Sequence, residues 1–141
     1  MSGVNVGFLH PGEMGVSLAA AAQRTGHTVL WASIGRSQRA RQRAADQGLR
    51  DVGSLNSLCA VCEVIVSICP PHAADSVADD VLACGYRGTY ADAHAILPQR
   101  ARRIGERLHG AGASCVDGGI VGGPAWDPGE TCLYLAGEEA E

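Results

Sequence analysis

The stretch GFLHPGEMG (residues 7–15) closes an apolar run, Val4 to Leu9, and opens a small-residue segment, MGVSLAAAAQRT. A short apolar run suits a buried parallel strand, and the Ala-rich segment that follows suits a helix stopped by Gly26. Between them, Gly12 and Gly15 are spaced like the last two glycines of G-x-G-x-x-G, and His10 stands where the first is usual. In such a turn Gly12 lets the backbone approach a pyrophosphate, and Gly15 lets the helix pack close to the strand. The helix N-terminus adds N–H groups and the positive end of its dipole. Glu13 suits that dipole but is unfavourable beside an anion. The same letters also suit a strand–turn–helix that needs glycines only for packing, so the surroundings decide.

Outward from this turn, strand and helix signals alternate. Strands are expected at Thr28–Ala32, near Arg50–Val52, at Val64–Cys69 and at Thr89–Ala93. A further strand starts at Ser114–Asp117, and TCLYLAG forms the last. Helices are expected at Met14–Thr25, Arg36–Gln47, Leu55–Ala60, Ala73–Cys84 and Pro98–His109. Gly and Pro dominate 118–129, which reads as loop. Strands alternating with helices of this length give an α/β fold with a parallel sheet and right-handed crossovers.

The chain has 141 residues, one domain's worth (1–141), with 46% hydrophobic and 18% charged residues. A net charge of −4 and scattered arginines leave no continuous basic face, which argues against a nucleic-acid partner. No apolar run is long enough to span a bilayer and no secretory signal is visible, so no membrane partner and a cytoplasmic location are expected. The six cysteines, at 59, 62, 69, 84, 115 and 132, lack the setting of a disulfide scaffold. Cys59 and Cys62 form a C-x-x-C without a second pair at zinc spacing, so core packing is expected and a metal is not. All eleven basic residues are Arg; the sequence has no Lys.

The end of the second strand supplies a second test of the turn. An NAD site usually carries Asp or Glu there to hold the ribose hydroxyls, whereas LWASIGRSQRAR places Ala32 and Ser33 at that point. Arg36, with Ser33 and Ser37, suits a 2′-phosphate instead, because guanidinium presents a planar fork of donors. This favours NADP over NAD. An exposed Arg-rich helix would look the same.

Four segments in register, VGFLHPGEMG, VIVSICPPHAA, TYADAHAI and VDGGIVGGPAWDPGETCLYLAG, carry a wider likeness. Together they resemble the N-terminal domain of the 6-phosphogluconate dehydrogenase / β-hydroxyacid dehydrogenase superfamily, in the branch with a C-terminal domain of unknown function. The resemblance implies a Rossmann-like doubly wound, mainly parallel sheet with helices on both faces. It implies hydride transfer between a nicotinamide and a small alcohol, carbonyl or imine substrate. His10, Pro11, Gly12, Glu13, Met14 and Gly15 would cradle the pyrophosphate, and Ser33, Arg36 and Ser37 would hold the adenosine ribose and its phosphate. Cys69, Pro70 and Pro71 would run beside the cofactor, and Ala93 and His94 would approach the nicotinamide ribose. Gly118, Gly119, Val121, Gly122 and Gly123 would form the substrate loop.

Two departures bear on the chemistry. The substrate loop of β-hydroxyacid dehydrogenases carries a serine for the substrate carboxylate, and Val121 occupies that position. The superfamily's proton-transfer lysine lies in a helical C-terminal domain that also makes much of the dimer; the present sequence holds neither. The catalytic residue is therefore unknown; His94 and His10 are the local candidates, with a ribose or backbone hydrogen bond the competing role of His94 and a structural role in the turn that of His10. Asp92 and Asp117 sit at strand ends, the usual place for site residues in α/β folds; Asp117 either ties down its glycine loop or touches substrate, and Trp126 either walls a pocket or anchors the loop. Two other readings stay open: an imine reductase-like NADPH-binding domain, and a stand-alone nucleotide-binding module without catalysis. The close of the sequence, LYLAGEEAE, reads as a strand entering another helix, as in a domain cut from a longer protein.

Overall fold

The computed structural model describes residues 2–137 and 140. Its strands are β1 (Asn5–Leu9), β2 (Thr28–Trp31), β3 (Arg50–Asp51), β4 (Val64–Ser67), β5 (Thr89–Asp92), β6 (Ser114–Gly122) and β7 (Thr131–Ala136). Its helices are α1 (Glu13–Arg24), α2 (Gln38–Asp46), α3 (Leu55–Val61), α4 (Ala74–Ala83) and α5 (Pro98–Gly110). The strands form one sheet in the order β3-β2-β1-β4-β5-β6-β7, parallel except for antiparallel β7. From β1 the chain first winds one way, to β2 and β3, then crosses to β4 and winds the other way. The carboxyl ends of β1 and β4 therefore flank a switch point, where open α/β sheets leave a crevice for ligands.

Each face of the sheet buries its own core. One gathers Val6, Phe8, Val29 and Trp31 with Val16 and Ala19 of α1 and Ala44 of α2. The other gathers Ile65 and Tyr90 with Leu58 of α3, Val77 and Val81 of α4, and Ile104 and Leu108 of α5. Gly7 of β1 lets α3 sit close: a Cβ there would lie 3.0 Å from Leu58 and 3.1 Å from the Cys62 sulfur. The C-x-x-C pair belongs to this packing. Cys62 is buried, Cys59 is half-buried, and burial, reinforced by Cys84, pushes the Cys59 thiol up to about 12.

The expected loop at 118–129 is corrected in its first half. β6 continues through Gly122 and pairs with β7 from Asp117↔Ala136 to Gly122↔Thr131, so Gly118, Gly119, Val121 and Gly122 are strand residues and only Gly123 is loop. Glycine is poor in strands on propensity alone, but cross-strand pairing overrides it. Gly122 has φ +117°, and a Cβ there would strike the Glu130 carbonyl oxygen, so this hairpin needs glycine. Helix α2 begins at Gln38, not Arg36; Ser37 caps it by accepting from the Ala40 N–H at 3.1 Å. Helix α4 begins one residue late, at Ala74, after a 3-10 turn at Pro71–Ala73.

The two sheet edges differ. β3 is two charged residues long, whereas β7 is six residues without a charge, with Leu133, Tyr134 and Leu135 46%, 64% and 46% exposed. The helical turn expected in GEEAE falls on Glu138, Glu139 and Glu141, outside the described residues. Among the described residues no helix is long and apolar enough to cross a membrane.

Candidate functional site: the crevice at the switch point

His10 answers the question posed by the altered turn. Its φ is +55°, the only positive φ among the described non-glycine residues. That region favours glycine and disfavours other L-residues. The turn thus keeps the backbone path expected of glycine and adds a side chain. The ring is half-buried, and Arg36 donates from Nη1 to its Nδ1 at 2.8 Å. Because guanidinium only donates, Nδ1 must carry the lone pair, leaving the proton on Nε2. Burial first, then the Arg36 charge and the His94 charge, lower the His10 pKa to about 4. A neutral imidazole between the glycine turn and an arginine is the state this geometry requires.

One open groove of about 310 Å³ runs over these residues. It is lined by His10, Pro11 and Gly12 after β1, by Gly35, Arg36 and Ser37 after β2, and by Cys69 and Pro70 after β4. Gly12 is the N-cap of α1 and offers no side-chain cap, so the first N–H groups of α1 stay available to a ligand. A Cβ on Gly12 would find nothing nearer than the His10 carbonyl oxygen at 4.0 Å, whereas one on Gly15 would lie 3.2 Å from it. Gly12 therefore opens the groove and Gly15 closes the packing beneath it. Dinucleotide phosphates fit such a cradle.

Not every residue singled out in the sequence reaches the groove. Ser33 is buried and does not line it; its N–H donates to Asp51 Oδ1 at 3.2 Å. Asp51 also accepts from the Gly53 N–H at 2.8 Å, so the one carboxylate near the end of β2 is committed to backbone. Glu13 points into a separate groove of about 360 Å³ with Arg43 and Trp126. Trp126 thus lies against α1 and α2. Its loop is pinned there: Ser17 Oγ accepts from the Ala125 N–H at 2.8 Å, and Arg24 donates to the Ala125 carbonyl at 3.3 Å.

A second cavity, about 300 Å³, continues past the turn. Met14, Cys69, Pro71, Ala93, His94 and Gly119 line it, so it joins the helix start, the β4 and β5 ends and the hairpin. Gly118 is buried beneath, and Val121 is 62% exposed on the projecting hairpin. Sequence reasoning missed what His94 does here. Its Nδ1 lies 2.5 Å from Asp92 Oδ1, and its Nε2 lies 3.0 Å from both Ser67 Oγ and Cys69 Sγ. Burial alone would lower its pKa, but the Asp92 hydrogen bond, the Cys69 hydrogen bond and the Asp92 charge together raise it to about 9. Burial and the nearby Asp92 raise the Asp117 carboxyl as well. No three described His, Cys, Asp or Glu residues are grouped to hold a metal ion.

Residues 5–140 match the family described as the NAD binding domain of 6-phosphogluconate dehydrogenase. The chain belongs to this family. A search of curated protein sequences finds no significant match. Among solved structures this NAD-binding domain resembles conserved protein MTH1747, itself described as structurally similar to 3-hydroxyacid dehydrogenases, at 26% identity and TM-score 0.85 over 97% of this chain and 51% of that one. It also resembles 3-hydroxyisobutyrate dehydrogenase of Mycobacterium tuberculosis, at 22% and 0.85 over 97% and 47%. A Myxococcus stipitatus imine reductase variant in complex with NAD+ matches at 19% and 0.79 over 98% and 48%. The chain spans about half the length of these proteins.

The two histidines of this NAD-binding domain give opposite pH slopes. His94, with its raised pKa, stabilises the fold fully below the unfolded value near 6.5, and that contribution fades as pH rises through about 9. His10, with its lowered pKa, costs stability as pH falls from about 6.5 through about 4. The groups facing His94 are Asp92, Cys69 and Ser67, with His10 and Asp117 nearby. Melting temperature is therefore expected to peak near pH 6.5, and His94→Asn to flatten the alkaline limb. An alkaline limb identical in the variant would reject the role given to His94.

Proposed function

We propose that this domain is the NADP-binding half of an oxidoreductase that moves hydride between the nicotinamide and a small alcohol or carbonyl substrate. The observation that carries the reading is Arg36. It follows β2, lines the phosphate groove and is held over the cofactor turn by His10, while Asp51, the carboxylate at the end of the neighbouring β3, is committed to backbone N–H groups. Partial burial lowers its pKa from the usual value, the mark of a guanidinium short of water. A 2′-phosphate would replace that water with charge-assisted hydrogen bonds.

In this reading Gly12 and the start of α1 bind the pyrophosphate, while Arg36 and Ser37 hold the adenosine ribose phosphate. Met14, Ala93 and His94 line the space for the reacting end. The bound nicotinamide supplies or accepts the hydride; the protein orients it and excludes water. Val121 favours a second reading within the same class. An apolar side chain where β-hydroxyacid dehydrogenases place a serine suits a neutral or imine substrate better than a carboxylate. Completion of the site by a helical C-terminal half, dimerisation through it and a cytoplasmic location belong to the same proposal.

Titration of the purified chain with NADPH and NADH in parallel tests it. NADPH is expected to bind at least about tenfold more tightly, the worth of one charge-assisted contact. Equal affinities would remove the NADP assignment, and binding of neither would favour a structural turn.

A further inference from the structure

The strand ends beside the crevice bring three chemically distinct side chains into one chain of contacts. Cys69 follows β4, and Asp92 and His94 lie at and beyond the end of β5; register Ser67↔Asp92 aligns the two strands. The contacts run Cys69 Sγ, 3.0 Å to His94 Nε2, then His94 Nδ1, 2.5 Å to Asp92 Oδ1. Asp92 also accepts from the His94 N–H at 3.2 Å, which fixes the imidazole's approach. This is the sulfur–imidazole–carboxylate order by which a base activates a nucleophile and a third group orients the base. Two further observations make it a site. Asp92 is 1% exposed and its Oδ2 has no hydrogen-bond partner, so among the described residues the His94 ring is the group paired with this buried carboxylate. And Cys69 is half-buried, facing both the phosphate groove and the 300 Å³ cavity, so a small molecule can reach the sulfur.

We propose that Cys69 is an activated nucleophilic thiol and a modification site for hydroperoxides. The sulfur, its proton shared with His94 Nε2, attacks the distal peroxide oxygen. The O–O bond breaks, the leaving oxygen takes the proton from His94, and an S–O bond forms. Cys69 is oxidised by two electrons to the sulfenic acid, and the hydroperoxide is reduced to alcohol or water. Asp92 holds the imidazole throughout. The site uses only residues of this chain and does not depend on the cofactor assignment.

The 141-residue chain, treated with hydrogen peroxide in the presence of dimedone and mapped by peptide mass, tests this. Exposed Cys132 serves as internal control. At pH 6.0 Cys69 is expected to be labelled at least about tenfold faster than Cys132, because His94 Nε2 lies 3.0 Å from its sulfur and takes its proton. His94→Asn should slow Cys69 about tenfold or more and leave Cys132 unchanged. Equal rates for the two cysteines would overturn the proposal; so would an indifferent His94→Asn that remains folded. If that variant does not fold, the wild-type comparison of Cys69 with Cys132 decides alone.

Discussion

Gly12→Val is expected to abolish NADPH binding and leave the chain folded. The two halves of that expectation rest on different facts. Gly12 has φ −77° and ψ −169°, extended backbone that a β-branched residue adopts readily. Its missing Cβ would meet nothing closer than 4.0 Å, so valine strikes no protein atom at its branch point. The isopropyl group instead fills the groove above the free N–H groups of α1, where the pyrophosphate has to come close. Circular dichroism and melting temperature should match the wild type, and calorimetry with NADPH should give no heat of binding. The neighbouring Gly15→Val serves as contrast. With 3.2 Å to the His10 carbonyl it must push the turn aside, so stability should fall together with binding. Undiminished NADPH affinity in Gly12→Val would mean that the turn is packing alone.

Arg36→Ala should separate the two cofactors. A hydrogen bond to a charged group is worth about 1.5–3 kcal/mol, so NADPH affinity should fall roughly 10- to 150-fold. NADH lacks the 2′-phosphate and should lose no more than about threefold. The His10 ring also loses its donor, but His10 stays neutral, and stability should change little because the pair is half exposed. Parallel titrations of both cofactors check this. Equal losses would place Arg36 on a part of the dinucleotide that NADPH and NADH share.

Apolar runs such as Val64–Ser67 and the Ala-rich α1 were legible because burial demands them, and the stop signals at Gly26, Gly48 and Gly85 are all at positive φ. The glycine-rich start of the hairpin was not. Its strand character comes from antiparallel pairing with β7 across the hairpin, which local propensity cannot register. Likewise, the letters marked His10 as a departure from pattern, but only the folded turn shows its backbone at φ +55° and its ring on Arg36, 26 residues away in sequence. The Cys69–His94–Asp92 contacts were out of reach for the same reason. Residues 25 positions apart meet through strand register, and no spacing rule encodes that. Ser33 shows the converse: a hydroxyl in the right place along the chain faces the wrong way, into β3.

The unequal sheet edges carry a consequence for how the chain behaves in concentrated solution. β3 ends the sheet with two charged residues, the kind of short, polar border that keeps foreign strands from docking. β7 ends it with TCLYLA, an uncharged and proline-free hexapeptide whose outward hydrogen-bonding row has no partner in the sheet. Composition and length match those of segments that stack into cross-β fibrils. Left uncovered, this border is a template for strand-by-strand self-association, and whatever covers it acts as the chain's guard against aggregation.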